Sequence, residues 1–477
     1  MREETDIIGK KNIPADSLFG IHSLRAKENF PATNTFSLQW YKAVGIVKLA
    51  CYETYKNLKK SATEEFGDSL NYTFIKDDII NILIKAATEV SIGKWFSDFI
   101  VPATQGGAGT SINMNVNEII ANRSLVLLNE KPGTYNIVHP NNHANVFQST
   151  NDVIPTSLRI VLMQLLHNLE EAINLSRLET ERLETEYRNI PRIAYTQLQQ
   201  AVPTSYGRLF STYSDALSRD WWRVSKCFER IKIVNLGGNA IGSSLGIPRF
   251  FVLEVVQTLQ RLTGLPITRS ENLSDANSNL DSFVEIHAIL KAHAVNLEKI
   301  AGDLRLLSSD ISIESLKIPA KQAGSSIMPG KINPVIPEYL ISLAHKIYAN
   351  DLIITNLSAK SQLELNAYLP EIGNALIETL NLLIAANKTL KENLLNEISI
   401  DRQKAEEIFL NSTSICTVLV PYIGYQKAEE YALFMKNNNA DIYTANQSLK
   451  LIDNIKLQEL LETSNLIKQG FSFRDLL

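Results

Sequence analysis

The chain has 477 residues, of which 45% are hydrophobic and 21% are charged, and its formal net charge is −4. This composition is typical of a globular protein and excludes the collagen-like and intrinsically disordered classes. The near balance of 47 basic and 51 acidic residues gives no indication of a nucleic-acid-binding surface, and no apolar run reaches the roughly 18 residues that a membrane span requires.

The first residues are charged and lack the apolar segment of a signal peptide. The three cysteines, Cys51, Cys227 and Cys416, lie far apart and form no CxxC pair, so neither a disulfide framework nor a zinc site is predicted. We expect them to be buried as small hydrophobic residues in a reducing compartment. Together these features predict a cytoplasmic protein without a metal site.

Residues 1–148 are predicted to form a mainly helical N-terminal domain built from short, mixed segments. Within it, residues 106–118 have the sequence GGAGTSINMNVNE. The glycines let a ligand approach the backbone closely, and we expect the three alternating asparagines to precede an apolar helix. The segment lacks the glycine spacing of a dinucleotide-binding loop and the Lys-Ser/Thr pair of a P-loop.

A second polar stretch consists of HPNNH at residues 139–143 and QSTND at residues 148–152. Ser149, Thr150 and Asn151 are predicted to lie just before a long helix that Pro155 opens. Hydroxyl and amide groups in this position are ordinarily helix caps. The same position also suits an anion, because free N–H groups and the helix dipole point at it, so both interpretations remain open.

Residues 149–404 are predicted to form a central domain of long helices. Apolar residues recur there at spacings of three and four, and a seven-residue period held over several turns is typical of helices packed nearly parallel in a bundle. Two positions of this apolar seam are polar, His293 and Asn387. We favour the interpretation that they fix the register of the helices over one in which they bind a ligand.

The predicted fold class is all-α, with a long central helical bundle and two smaller, mainly helical end domains. No alternating strand–helix pattern indicates a doubly wound sheet. The second end domain comprises residues 405–477. Within the central domain, residues 196–203 have the sequence TQLQQAVP, which we interpret as the polar start of a helical segment.

The most unusual segment is residues 324–334, with the sequence GSSIMPGKINP. Its two glycines and two prolines exclude a helix and predict an exposed or hinged loop. Lys331 and Asn333 suit a small polyanion, and N–H groups near Gly324 can form an anion nest. A serine can act here as a nucleophile or a base if backbone donors stabilise its alkoxide, although composition alone favours a mobile surface loop.

Taken together, these segments resemble, in the same order, the sequence blocks of the aspartase/fumarase superfamily of lyases. GSSIMPGKINP resembles the signature loop of that family, and residues 324–334 are called the signature loop below. The resemblance extends from GIHSLRAKENF at residues 20–30 to PYIGY at residues 421–425, which is nearly the whole chain. The first of these blocks is more similar to the aspartate ammonia-lyases than to the fumarases of the family.

The resemblance implies a general-base elimination on a small dicarboxylate. Ser325 matches the base that removes a proton next to a carboxylate, into which the negative charge then spreads as an enediolate. The positions that match ligands of that carboxylate are Thr110, Ser149, Thr150 and Ser326, and those for the second carboxylate are Lys331, Asn333 and Thr196. The amino group matches Asn151 and Thr110, and Gln197 is a further substrate-binding position. The supporting residues are Glu338 and Met328, and a possible second anion site comprises His139, Asn141 and Asn142. The resemblance also implies a homotetramer in which three subunits share each site, and a loop that closes over the substrate. It implies no required cofactor, although some relatives respond to divalent metal.

Two departures from the family pattern bear on the activity. Gln197 replaces a histidine that many relatives pair with a glutamate corresponding to Glu338. A hydroxide leaving group needs a proton from an acid, whereas an ammonium is already protonated and leaves as ammonia. The missing imidazole therefore disfavours a fumarase more than an ammonia-lyase. Asn142 stands where relatives usually carry aspartate, which weakens the expectation of effector regulation.

The predicted activity is the reversible elimination of ammonia from L-aspartate to give fumarate, a carbon–nitrogen lyase reaction. Fumarate hydration, or elimination from a substituted aspartate or succinate, is the alternative, since the superfamily varies the leaving group. A non-enzymatic structural protein is least favoured, because Ser325, Lys331 and Asn333 are intact. The predicted partners are thus a small dicarboxylate and further copies of the chain, with no nucleic acid and no membrane.

Overall fold

The computed structural model describes residues 1–312 and 315–473, and helices dominate it. The strands among these residues are short, and each pairs with a single partner. The predicted all-α fold class is therefore confirmed.

The helices of the described residues range from a single turn to 37 residues, the length of α5. The α-helices are α1 Ile21–Asn29, α2 Leu38–Phe66, α3 Asp77–Ser91, α4 Thr110–Leu127, α5 Thr150–Glu186, α6 Tyr206–Ser225, α7 Cys227–Ile231, α8 Arg249–Thr263, α9 Leu273–Ser278, α10 Asp281–Leu307, α11 Val335–Ser358, α12 Leu369–Asn393, α13 Arg402–Asn411, α14 Val420–Ile423, α15 Tyr425–Asn438, α16 Ile442–Leu449, α17 Asn454–Leu461 and α18 Thr463–Leu466. Short 3₁₀ helices are Gly67–Ser69, Phe96–Asp98, Leu395–Glu397 and Thr413–Leu419. The strands pair as β1 Arg2–Asp6 with β2 Gly9–Ile13, β3 Pro191–Thr196 with β4 Gln199–Ser205 and β7 Leu316–Lys317 with β8 Ser399–Ile400, all antiparallel, and as β5 Ile233–Val234 with β6 Thr268–Arg269, parallel.

The chain forms two compact units, and each is discontinuous in sequence. The first unit comprises Met1–Leu169, Arg223–Lys291 and Lys346–Leu382, and the second comprises Glu170–Trp222, Ala292–His345 and Leu383–Leu477. The unit boundaries fall inside α5, α6, α10, α11 and α12. Long helices therefore supply residues to both units, and a division of the chain at residues 148 and 404 stays a prediction.

The periodic segments form the long helices that they predict, among them α10 and α12. The N-terminal region departs from the prediction of short segments, because α2 runs over 29 residues. Tyr41, Tyr52 and Tyr55 are buried on this helix together with Lys48. Their polar ends interrupt the apolar period, which is why the sequence pattern does not reveal a long helix here.

The core of the first unit is built around Trp40 on α2. Its ring stacks on Phe36 with the ring centroids 5.1 Å apart, and Phe36 stacks in turn on Phe99 at 4.7 Å. Trp40 Nε1 donates to Ser157 Oγ on α5 at 2.9 Å. A Cβ atom at Gly373 on α12 would lie 2.4 Å from the Trp40 ring, so only glycine permits this contact. The beginning of α5 is thereby held against α2 and α12 within the first unit.

The second unit contains an apolar core of its own near the C-terminus. The buried side chains of Phe409, Ile415, Tyr431 and Met435 pack there with Ile193 of β3. Strand β3 therefore belongs to the same core as the C-terminal helices.

The polar seam positions of the second unit have partners. Asn387 Nδ2 donates to His293 Nε2 at 2.8 Å, and His293 Nδ1 lies 2.9 Å from Asp220 Oδ2. All three side chains are buried, and their contacts agree with the interpretation that they fix helix register.

The three cysteines are buried and unpaired, as predicted. Within residues 1–312 and 315–473, no helix is long and apolar enough to cross a bilayer. The same residues contain no group of three or more histidine, cysteine, aspartate or glutamate side chains placed to hold a metal ion.

Candidate active site

The first turn of α5 carries three of the predicted site residues. The helix begins at Thr150, so the prediction that Pro155 opens it is wrong. Ser149 is the cap: its Oγ accepts from the Asn151 N–H at 3.2 Å, and its own N–H donates to Asp152 Oδ1 at 2.9 Å.

Pro155 determines how Asn151 is held. Proline has no N–H group, so the carbonyl four residues earlier, that of Asn151, lacks its helical donor. Asn235 Nδ2 supplies the missing bond at 2.8 Å. The side-chain Nδ2 of Asn151 donates to the Ala240 carbonyl at 2.7 Å. This orientation leaves Asn151 Oδ1 as an acceptor for a donor-only group such as an ammonium.

Asp152 ties the start of α5 to the glycine-rich loop at residues 235–248. Its Oδ2 accepts from the Asn239 N–H at 3.0 Å. Burial raises the pKa of Asp152 to about 7, while hydrogen bonds from the backbone N–H groups of Ser149, Asn239 and Gly237 favour the ionised carboxylate. The loop and the helix end are therefore one hydrogen-bonded assembly within the first unit.

Thr110 lies in the first turn of α4, a second helix end in the same unit. The residue before it, Gly109, has a φ of 93°, and a Cβ there would meet Ile154 Cγ2 at 3.0 Å. Glycine thus permits α4 to pack on the second turn of α5. Asn113 Nδ2 donates to Thr150 Oγ1 at 3.2 Å. The two helix N-termini converge, and such ends attract anions through their free N–H groups and dipoles.

Four predicted residues are thus brought together in the first unit, and we call them the helix-terminus cluster: Thr110, Ser149, Thr150 and Asn151. Each lies at or next to the first turn of α4 or α5, and each is at least partly accessible to solvent. Three hydroxyls, an amide oxygen and the N–H groups of two helix ends lie together here, a set of groups that suits a carboxylate and an amino group.

The asparagines of residues 113–117 lie inside α4, so the prediction that they precede the helix is wrong. All three are buried. Asn115 Nδ2 donates to the Asp98 carbonyl at 3.1 Å, and Asn117 Nδ2 donates to Asn145 Oδ1 at 3.1 Å. Because these side chains bond to neighbouring loops, they do not compete for the backbone of their own helix, which is the usual reason for asparagine to be a poor helix former.

The residues of the possible second anion site form a tight turn in the first unit. His139 Nδ1 accepts from the backbone N–H groups of Asn141 at 3.0 Å and Asn142 at 3.3 Å. Burial lowers the pKa of His139, so the imidazole is neutral with its proton on Nε2. The Asn141 and Asn142 side chains are exposed. Their binding of an anion stays a prediction.

The signature loop lies in the second unit and is closed by its own backbone. The Gly324 N–H donates to the Lys331 carbonyl at 2.8 Å, and Asn333 Nδ2 donates to the Gly324 carbonyl at 2.6 Å. A Cβ at Gly324 would lie 2.7 Å from the Asn333 nitrogen, so the close approach requires glycine. The predicted loop is confirmed, and part of the hydrogen-bonding capacity of Asn333 serves its closure.

Ser325 accepts two backbone hydrogen bonds inside this loop. Its Oγ lies 3.1 Å from the Ile327 nitrogen and 2.9 Å from the Met328 nitrogen. Two fixed N–H donors stabilise negative charge on the oxygen that receives them. The side chains of Ser326, Met328 and Lys331 are exposed, and Lys331 forms no ion pair with the described part of the chain. The loop therefore presents a serine oxygen with two backbone donors and a lysine that has no ion pair among the described residues.

Thr196 and Gln197 lie in the hairpin β3–β4, so the prediction of a helical start at residues 196–203 is wrong. Thr196 pairs with Gln199, and Gln197 and Leu198 form the turn with φ values of 52° and 62°. Positive φ at both central positions is typical of a type I′ turn, for which the sequence signal is Asn-Gly. Gln-Leu carries no such signal, and the following helix α6 begins only at Tyr206.

Glu338 lies in the first turn of α11 in the second unit. Its Oε1 accepts from the Arg305 guanidinium at 3.3 Å. Both side chains are about half exposed, so this ion pair contributes little to stability. The predicted supporting roles of Glu338 and Met328 stay predictions.

A family model described as Lyase matches residues 9–349, well over half of the chain. An aspartate ammonia-lyase from Bacillus sp is 36% identical over 91% of this chain and 90% of its own length. The aspartate ammonia-lyase of Escherichia coli (strain K12) is 34% identical over 99% of this chain and 97% of its own. The chain belongs to the aspartase/fumarase superfamily of lyases.

Solved structures of other lyases have the same fold. A fumarate lyase:delta crystallin from Brucella melitensis bound to cobalt is 33% identical, with a TM-score of 0.89 and coverage of 98% of both chains. The recombinant class II fumarase from Schistosoma mansoni is 26% identical, with a TM-score of 0.86 and coverage of 97% of this chain and 98% of its own. The helical architecture is therefore shared with a protein titled a fumarate lyase:delta crystallin and with a fumarase.

Several residues that support the helix-terminus cluster of this lyase escape prediction from sequence. They are Lys48, Asn113, Asn145, Asp152 and Asn235. For Asn235, the glycine-rich segment after it was a usable signal, since close backbone approaches often accompany a ligand site. For Lys48 the only signal was a charged residue within a long apolar stretch, which more often indicates a side chain that reaches solvent.

Proposed function

We propose that the chain catalyses the reversible elimination of ammonia from L-aspartate to give fumarate. Membership of the lyase superfamily and the relatives named aspartate ammonia-lyase support a carbon–nitrogen lyase. The observation that carries the catalytic role is the pair of backbone N–H groups on Ser325 Oγ. Among the candidate hydroxyl residues, Ser325 is the one whose oxygen accepts two backbone N–H groups in the described part of the chain, whereas Ser149 Oγ accepts one.

In this mechanism Ser325 acts as an alkoxide, which the Ile327 and Met328 N–H groups stabilise; it takes a proton from the Cβ atom of L-aspartate and becomes a hydroxyl. The electron pair left on carbon is stabilised only if it spreads into the adjacent carboxylate as an enediolate, whose charge needs fixed donors. Thr110, Ser149 and Thr150 supply hydroxyls for this purpose, and Ser326 lies next to the base. The convergence of the α4 and α5 N-termini supports the assignment, because helix N–H groups favour a growing negative charge.

The second carboxylate binds to Lys331, Asn333 and Thr196 in this proposal. Lys331 is the charged partner, and its lack of an ion pair with the described residues leaves it available to the substrate. Closure of the signature loop over the substrate excludes water and completes the set of contacts.

The amino group binds to Asn151 and Thr110, and this assignment favours L-aspartate over L-malate. Asn151 Nδ2 is committed to the Ala240 carbonyl, so its Oδ1 faces the ligand, and an ammonium can only donate. Ammonia leaves without a general acid, which is consistent with Gln197 in place of an imidazole. The loss of hydroxide from L-malate needs such an acid, and this fumarase reaction is the second candidate.

We further propose a cytoplasmic homotetramer in which three subunits contribute to each site, as the family resemblance implies. The helix-terminus cluster of one subunit then acts together with the signature loop of another. A second anion site at His139, Asn141 and Asn142 is part of the same proposal, and Asn142 in place of an aspartate makes that site less acidic.

The test is the ultraviolet absorbance of fumarate formed from L-aspartate, L-malate and argininosuccinate in separate reactions. Fumarate from L-aspartate, with at most traces from the other two, is expected. Fumarate from L-malate but not from L-aspartate would overturn the proposal in favour of a hydratase. A folded protein without activity on any of the three would indicate a structural role.

A further inference from the structure

Lys48 is a cation buried without a carboxylate partner. It lies in the middle of α2 and has 0% of its surface exposed. No acidic side chain of the described residues comes within ion-pair distance of it. A buried charge is costly unless it is paired or fully hydrogen-bonded. A lysine kept in this position therefore requires an explanation beyond packing.

The contacts of Lys48 are amide oxygens, and they lead to the helix-terminus cluster. Its Nζ donates to Asn113 Oδ1 at 2.6 Å and to Asn145 Oδ1 at 3.2 Å. Asn113 Nδ2 donates to Asn145 Oδ1 at 3.1 Å and to Thr150 Oγ1 at 3.2 Å. All of these residues belong to the first unit. A continuous chain of hydrogen bonds thus runs from the ammonium to a hydroxyl at the start of α5.

The direction of every bond in this chain is fixed by the first member. An ammonium has three donors and no acceptor, so the oxygen of the Asn113 amide must face it. The amide NH₂ group must then face Thr150, whose oxygen accepts. Because the Thr150 oxygen is occupied as an acceptor by Asn113, its own hydrogen is free to be donated outward, to a ligand.

The charge balance around Lys48 favours an anionic ligand. Burial lowers the pKa of Lys48 to about 7, and the charge of Asp152 acts in the opposite direction. A dicarboxylate bound at the helix-terminus cluster adds negative charge near the ammonium and favours its protonated, donor-only form. Ligand and lysine thereby stabilise each other across the Asn113 amide.

We infer that Lys48 is a positioning residue that makes Thr150 a hydrogen-bond donor to the substrate carboxylate. It acts through Asn113 and does not touch the substrate. The inference rests on the proposed function, because it takes Thr150 as a carboxylate ligand, and it adds a residue and a mechanism to that function.

The first experiment measures the dissociation constant of succinate, a dicarboxylate that cannot eliminate, for the full-length wild type and for Lys48→Met. The loss of one hydrogen bond to a charged group should weaken binding about tenfold. The KM for L-aspartate should rise by the same factor, while turnover at saturation changes less. Unchanged binding by a folded Lys48→Met would overturn the inference.

A double-mutant cycle with Thr150→Val separates positioning from general damage. If Lys48 acts through Thr150, the double variant should bind succinate no more weakly than either single variant, because all three lose the same donated hydrogen. Independent effects, which would multiply to about a hundredfold, would contradict the inference. Arg159→Met is the matched control, since Arg159 is a fully buried cation of the same unit whose bonds go to Ile231 and Ser282. It should lower the thermal midpoint and leave succinate binding unchanged.

Asn113→Asp keeps the inference testable if Lys48→Met does not fold. The carboxylate still accepts from Lys48 but cannot donate to Thr150, so stability should be retained and succinate binding should weaken about tenfold. Normal binding by this variant would overturn the inference.

The proposed function has a separate test: it fails if the wild type forms no fumarate from L-aspartate. Succinate binding still decides the role of Lys48 in that case, because absence of any succinate binding by the wild type would remove Thr150 as a carboxylate ligand and the inference with it.

Discussion

The helix-terminus cluster and the signature loop are supported in different ways. In the first unit, buried side chains bond to the cluster: Asp152 of α5 itself holds Ser149, and two side chains from other segments, Asn113 and Asn235, hold Thr150 and the backbone of Asn151. In the second unit, the bonds of the signature loop run within the loop, from Gly324 to Asn333 and from Ser325 to the next residues.

The difference indicates a division of labour. A group held by several buried partners keeps its geometry before the ligand arrives, which suits the stabilisation of charge in a transition state. A loop whose bonds are internal can move as one piece and bring a preassembled base with it. We therefore expect changes in the cluster to affect both carboxylate binding and the chemical step, and removal of the proposed base in the loop to affect mostly the chemical step.

The largest effect is expected for Ser325→Ala, which tests the loop as the source of the base. Turnover should fall at least about a hundredfold, the low end for the loss of a catalytic base, with the thermal midpoint unchanged. Initial rates of fumarate formation measure it. Ser308→Ala, at a partly exposed serine of the same unit, is the control and should keep wild-type activity. Near-normal turnover of Ser325→Ala would reduce the loop to a binding element.

Lys331→Ala tests the loop for a second role, because it removes a proposed binding contact from the loop that also carries the proposed base. The KM for L-aspartate should rise about 10- to 100-fold, since a carboxylate loses a charged hydrogen-bond partner. Steady-state kinetics over a wide range of substrate concentration measure this value. Lys321→Ala is the control, because that ammonium pairs with Glu397. An unaltered KM for Lys331→Ala would place Lys331 outside the site.

A change at Glu89 tests whether an ion pair stabilises α4, the helix that carries Thr110. Hydrogen bonds from Arg123 on α4, and then from Trp95, lower the pKa of Glu89 below 4.5. A lowered pKa stabilises the folded state above pH 4.5, and this contribution is lost as the pH falls through the folded-state value. Glu89→Gln should lower the free energy of unfolding by about 1 kcal/mol at pH 7 and reduce its fall in acid, measured by urea titration. Equal acid sensitivity of both proteins would contradict this.

The smallest effect is expected in the turn of hairpin β3–β4. Leu198 is 70% exposed and has a φ of 62°, so its side chain gains little from burial and strains the backbone. Leu198→Gly should raise the free energy of unfolding by about 0.5–1 kcal/mol. Leu198→Ala removes the same apolar surface but keeps the strained φ, and should show no gain. Similar thermal midpoints for the two variants would show that the turn is not strained.

The fold was predictable because its largest elements bury apolar residues at a regular period, as α10 and α12 do. Elements without that regularity were not predicted. The buried tyrosines of α2 carry polar ends, and the hairpin turn at Gln197 and Leu198 lacks the residues that normally mark positive φ. In both cases tertiary packing stabilises a local structure that the local sequence does not favour.

The candidate site was predictable in its outline, because serine, threonine and asparagine clusters interrupt apolar sequence at the ends of helices. Its support was not. Pro155 indicated a helix start, since a proline is least costly in a first turn. The proline lies beyond the first turn of α5, where the hydrogen bond from Asn235 replaces the one that it cannot donate. Lys48 and Asn113 are separated by 65 positions along the chain, so their contact depends on how α2 packs on α4.

The proline inside α5 matters to anyone who wishes to make this protein more heat-resistant. Exchanging it for alanine would restore a regular helical hydrogen bond and improve helix propensity. The same exchange would give the Asn151 carbonyl two competing donors and weaken its attachment to Asn235. Helical regularity and the attachment of the Asn151 backbone to Asn235 are thus opposed at this position, so a thermostable design should leave Pro155 unchanged.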